Sequence, residues 1–87
     1  MAYRVTNILT TTSGNTYASA DEWKDEHGNC GTTNPLVTSG SITLASPTSV
    51  RTVKVFASEA DHTALKAERA AGPAVNFTAS NVVKETI

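Results

Sequence analysis

The chain has one cysteine among its 87 residues, Cys30, so an internal disulfide is excluded. Secretion as a disulfide scaffold is therefore not expected, and a reducing compartment fits. Strong charge is missing too. Seven basic and eight acidic residues leave a formal net charge of −1. The cations Arg4, Lys24, Arg51, Lys54, Lys66, Arg69 and Lys84 are scattered, and no two are adjacent. That argues against the basic stripe of a nucleic-acid binder. It also does little to hold identical copies apart. No apolar run approaches the ~20 residues needed to cross a bilayer. The start, Met1-Ala2-Tyr3-Arg4, shows no basic-then-apolar leader pattern. The phosphate-loop patterns GxxxxGK and GxGxxG do not occur, nor does the nucleophile elbow GxSxG. Tyr3, Tyr17, Trp23, Phe56 and Phe77 are the only aromatics, too dispersed for a base-stacking platform.

What is present is β-branched and hydroxylated. Thr and Ser make up about a quarter of the residues, a composition that favours sheet over disorder. Two stretches share one local grammar: Tyr17-Ala18-Ser19-Ala20-Asp21-Glu22 and Phe56-Ala57-Ser58-Glu59-Ala60-Asp61. Each reads as an aromatic ending an extended segment, a Ser cap, and acids in the first helical turn. The Ser hydroxyl satisfies an orphan N–H, and the acid three residues on can reach back to the cap. Both acidic turns suit the positive end of the helix dipole. The first helix is expected from Ser19 to Glu26 or His27, anchored by Trp23 and ended by Gly28. The second is expected from Ser58 to about Ala71, with Ala60, Ala64, Ala67 and Ala71 beside Leu65 as the face laid on a sheet.

Strands are expected over Tyr3–Thr12, around Ile42–Leu44, over Val50–Phe56 and from Val75 to Ala79. Val53 and Val55 point one way, Thr52, Lys54 and Phe56 the other. Residues 29–40 read as a long loop with a foothold at Leu36-Val37. Loops of that length are uncommon without a function. Residues 82–87 read as a tail or short strand. The chain is thus expected to be one small α+β domain. It has a mixed or antiparallel sheet and two helices in β-α-β-β-α-β order, ferredoxin-like or looser, with extended polar arms.

Asp25, His27 and Cys30, with His62 in reserve, carry zinc-ligand chemistry. Structural zinc sites bring paired ligands from two places, and here the pair occurs once, so cap and loop roles are the preferred reading and no metal or cofactor is expected. Cys30 as a nucleophile needs a base or a helix N-terminus to lower its pKa, whereas it follows a helix C-terminus. The acids Asp21, Glu22, Asp25 and Glu26 pair by face one turn apart. An acid–base pair of that kind works in a deep cleft, which so small a domain does not readily build. A solvated helix start explains them. The chain is therefore not expected to be an enzyme.

The segment from Val50 to Asp61 resembles the strand-to-capped-helix units of small structural proteins of tailed bacteriophages. The Ala-, Thr- and Ser-rich, weakly charged composition is similar to that of many virion components. The resemblance implies an assembly role in a capsid or tail, partners that are copies of itself or other virion proteins, and location in the virion, with the cytoplasm as the alternative. Trp23, Val53, Val55, Leu65, Phe56 and Phe77 are expected to carry packing. The expected intersubunit contacts are Tyr3, Val5, Thr10, Thr11 and Thr12 on the first strand, Thr32, Thr33, Leu36 and Val37 on the loop, and Ile87 at the tail. A small accessory module that binds another protein is the alternative. A metal- or thiol-dependent enzyme ranks third.

Overall fold

The computed structural model describes every residue from Met1 to Ile87. The elements run β1 (Tyr3–Thr11), α1 (Ala20–His27), β2 (Val37–Ser46), β3 (Ser49–Phe56), α2 (Glu59–Ala71) and β4 (Phe77–Thr86). They build an α+β fold in the expected β-α-β-β-α-β order. The four strands form one sheet in the order β2-β3-β1-β4, every neighbouring pair antiparallel. This is the strand order of the split β-α-β plan.

Both Ser caps form. Ser19 and Ser58 are extended, and their hydroxyls accept from Glu22 N (3.3 Å) and Asp61 N (3.4 Å). Glu22 reaches back one residue further than a capping box requires, accepting from Ala18 N at 2.7 Å. Gly28 closes α1 with φ 76°, and its N–H bonds Lys24 O.

Two open expectations about the strands are resolved, and the loop boundary needs correction. First, β1 is a strand and not a free arm. It lies between β3 and β4 and is paired on both sides. Second, the long loop ends at Leu36, and residues 37–40 belong to β2. The shorter loop is ordered by its own turns: Thr32 N to Asn29 O (3.0 Å), Asn34 N to Gly31 O (3.2 Å) and Val37 N to Asn34 O (2.9 Å). Third, residues 82–86 take the strand alternative and not the tail. They continue β4 past an irregularity opposite Thr6 and Asn7. Thr6 pairs with Val83 and Asn7 with Asn81, so Val82 is the extra residue of a bulge. The bulge switches side-chain parity, which is why pattern reading broke the strand there.

The core lies on one side of the sheet, beneath both helices. Leu9, Tyr17, Trp23, Cys30 and Val50 form one cluster; Tyr3, Val5, Phe56 and Leu65 form another. On β3 the buried side is Val50, Thr52, Lys54 and Phe56, while Val53 and Val55 are half-buried on the other face. Phe56, Trp23 and Leu65 pack the core as expected, and Phe77 joins at its margin. Val53 and Val55 do not. The alanine face of α2 is also reversed: Ala60, Ala64, Ala67 and Ala71 are exposed, and α2 docks through His62 and Leu65. An alanine methyl is too short to fill the space above Tyr3, Val5 and Phe56, whereas His62 and Leu65, one turn apart, reach it.

Only 13 of the 87 residues are buried, so each core defect weighs heavily. Thr52 is one, fully buried with its hydroxyl unpartnered. An orphaned hydroxyl carries its desolvation cost without return. Thr52→Val is expected to raise stability by about 1 kcal/mol, read as a higher urea midpoint at unchanged slope. A lower midpoint would show that the hydroxyl has a partner.

Candidate functional site

The face of the sheet turned away from the helices is built by the alternate residues of each strand. The register sets them in rows. Ser41, Val53, Thr6 and Val83 lie abreast, as do Ser39, Val55, Arg4 and Glu85, and Thr43, Arg51, Ile8 and Ser80. Val53, Val55 and Ile8 are half-buried by their neighbours, while Val82 and Val83 are exposed. The bulge at Val82 places two valines side by side at the margin of this face. Arg4 is fixed there by Glu85, with Nε donating to Oε1 at 2.8 Å. No helix covers the face. Its border on one side is β4, ten residues long, which pairs with β1 and leaves its outer N–H and C=O groups without a strand. Val82, Val83 and Ile87 stand on or beside that edge, each 41–52% exposed.

A long edge with exposed apolar side chains is a template for strand addition. Natural edges are usually blunted by charge, proline or a short strand. β4 has Lys84 and its bulge, but no proline.

The contact residues expected from sequence divide. Tyr3 and Val5 are buried in the protomer's own core, 8% and 1% exposed. Leu36 and Val37 pack against the same cluster. Tyr3 and Val5 are corrections, because alternation put the apolar side of β1 under the helices, whereas Leu36 and Val37 stay half-buried where the loop's foothold closes the core. Thr11 is engaged internally with Ser13, Tyr17 and the carbonyl of Asn76. Thr32 donates to Asn29 O at 2.7 Å and lies against Gly40. Thr10, Thr12, Thr33 and Ile87 are exposed.

The other candidates serve local structure. His27 stacks on Trp23 (centroids 4.2 Å apart), and its Nε2 lies 2.9 Å from the Tyr17 hydroxyl and 3.0 Å from Glu26 Oε2. Hydrogen bonds from Tyr17, Asn15 and Ser13 hold the Glu26 carboxyl below its ordinary pKa. Cys30 is buried under the Trp23 indole, which donates to Sγ at 3.4 Å. Asp25 is exposed. Thus Asp25, His27 and Cys30 do not converge on a point. His62 sits between the Tyr3 and Phe56 rings. Burial, and then Lys66, Lys84 and Lys54, push its pKa down. Burial and the nearby Glu59 push the Tyr3 phenol up.

Comparison of the chain with protein-family models, curated proteins and solved structures finds no match. No helix is long and apolar enough to cross a membrane. The surface therefore has to be read from its own geometry. Sequence reasoning overlooked it because Val53 and Val55 look like core on a strand of strict alternation. The adjacent pair Val82-Val83 was the available signal: two valines in succession show that apolar character is wanted on both faces or at a bulge.

Proposed function

We propose that this chain is a non-enzymatic assembly module that packs against copies of itself through the uncovered sheet face and the β4 edge. The single observation behind this reading is that face, on which half-buried Val53, Val55 and Ile8 lie in three successive rows and exposed Val82 and Val83 border an unpaired edge. A two-fold related copy can set β4 against β4 antiparallel, extending the sheet and joining the valines of two protomers. The molecule measures 37 × 25 × 19 Å. A face bounded by its two longer extents is comparable with the ~800 Å² that each partner gives to a standard interface. A net charge of −1 offers little repulsion to oppose it. The setting we propose is a virus particle, on the strength of the composition and of the resemblance of residues 50–61.

Sedimentation velocity from low micromolar to near-millimolar concentration tests this. The native chain should gain mass with concentration. Val83→Lys sets a charge on the face and beside the edge, and should weaken association by at least about tenfold, or about 1.4 kcal/mol, with an unchanged circular dichroism spectrum. A native chain that stays monomeric throughout the range would overturn the reading.

A further inference from the structure

On the opposite side of the sheet, between α2 and the strands, lies a cleft of about 280 Å³. Its floor is apolar, from Val5, Leu9, Phe56 and Leu65. Its charged groups are all of one sign: Lys54 from β3, and Lys66 and Arg69 from α2. No carboxylate lines it. The ion pairs of the molecule, Arg4–Glu85, Lys24–Asp21 and His27–Glu26, involve none of these three cations.

Lys54 is the telling residue. It is only 7% exposed, yet it makes no ion pair and no side-chain hydrogen bond. Buried ammonium groups are ordinarily paired. The backbone is arranged around it as well. A β-carbon on Gly31 would meet Arg69 NH1 at 2.7 Å and Lys54 Nζ at 3.5 Å, so both cationic groups crowd one point against a glycine whose φ is +82°. Asn7 also lines the cleft, and its buried Oδ1 has no partner. An apolar floor, three unpaired cations and an unpaired amide acceptor describe one kind of guest.

We infer that this cleft binds a small organic anion, its carboxylate or phosphate head between Lys54, Lys66 and Arg69 and its apolar body on Val5, Leu9, Phe56 and Leu65. Of the two heads, only a phosphate that retains one proton can donate to Asn7 Oδ1, since a carboxylate is acceptor-only. The cleft, about 280 Å³, lies at the lower limit of ligand sites, roughly 300 Å³, which suits a guest no larger than a single ring with its head group. Burial, and then the neighbouring Arg69, lower the Lys54 pKa to about 8. Cys30 on the α1–β2 loop opposes that shift, and His62 of α2 faces the same space, with Lys84 of β4 and Glu59 of α2 beside it. An anion held against Lys54 favours the protonated amine, so binding near pH 8 takes up a proton.

Titration calorimetry with phenyl phosphate, benzoate and benzyl alcohol, in low-salt buffers of differing ionisation enthalpy at pH 8, tests the inference. At least one of the two anions should bind and the neutral alcohol should not. Which anion binds more tightly separates a phosphate head from a carboxylate head. The apparent enthalpy should vary with the buffer for the native chain. Lys54→Met should weaken binding at least tenfold, abolish the buffer dependence and raise the melting temperature, because it removes an unpaired buried charge. Arg69→Gln, on the exposed side of α2, leaves the core untouched and should weaken binding severalfold. Failure of both anions to bind, equal binding of the alcohol, or unchanged binding by both variants overturns the inference.

Discussion

Trp23→Ala should cost about 3–5 kcal/mol, the range for deleting a large buried aromatic. Trp23 is the one α1 residue in the buried core cluster, and it is fully buried. Tyr17 meets it edge-on at 5.1 Å, His27 lies over it, Phe77 of β4 closes the far side at 6.0 Å, and its indole N–H is spent on Cys30. Alanine would release all four at once. At about 0.05–0.15 kcal/mol per residue, a domain of this size holds roughly 4–13 kcal/mol in total. The variant is thus expected to be partly or wholly unfolded at 37 °C. Urea denaturation followed by far-ultraviolet circular dichroism reads the loss, since the substitution removes the sole tryptophan fluorophore. A loss below about 1 kcal/mol would mean that α1 contributes little to the fold. Trp23→Phe keeps a ring against Tyr17 and His27 and should lose distinctly less.

Gly40→Ala should cost about 1–3 kcal/mol, the usual penalty for forcing atoms into a filled space. Gly40 lies on the helix side of β2, opposite Lys54. An added β-carbon would stand 2.6 Å from Thr32 O, 2.9 Å from Thr32 Cβ and 3.1 Å from Thr32 Cα. Two of those atoms are backbone, so no side-chain rotation relieves the clash. Either β2 bends or the turn at residues 29–36 lifts. Lifting breaks the Asn29–Thr32 contacts, so faster amide exchange at Thr32 and Val37 should accompany the lower midpoint. Ser39→Ala, one residue away on the opposite face, should be near neutral. An equal effect from both substitutions would remove close approach as the explanation.

These two positions mark the limits of what the sequence discloses. Ser19, Ser58 and Gly28 are legible because capping is local: the groups that satisfy each other lie within four residues. Trp23 is legible because a lone tryptophan in a polar helix has one plausible destination. Gly40 is not, because its partner Thr32 reaches it through a loop whose path no local pattern encodes. Face selection on β3 fails for a related reason. Alternation separates Val53 and Val55 from Thr52, Lys54 and Phe56 correctly, but hydrophobicity then favours the valines. Phe56 and Val50, with Trp23 and Leu65 above them, decide the matter the other way and carry Thr52 and Lys54 inward. The alanines of α2 mislead similarly, since periodicity shows a face but not whether its side chains are long enough to reach the sheet. The proposed assembly surface was half legible. Thr10 and Ile87 lie at its margins, while the row that carries Val53 and Val83 on either side of Thr6 depends on a register that only the bulge at Val82 produces.

The central position of β1 also bears on how the chain is made. Its partner β3 follows only after α1, the loop and β2, and its other partner, β4, is the last strand of the chain. At about 5–20 residues per second, a nascent Tyr3–Leu9 segment spends seconds outside the ribosome before either neighbour exists. Holding that segment apart from its counterparts on neighbouring ribosomes falls to polar Thr6 and Asn7 and to Arg4, not to the mature architecture.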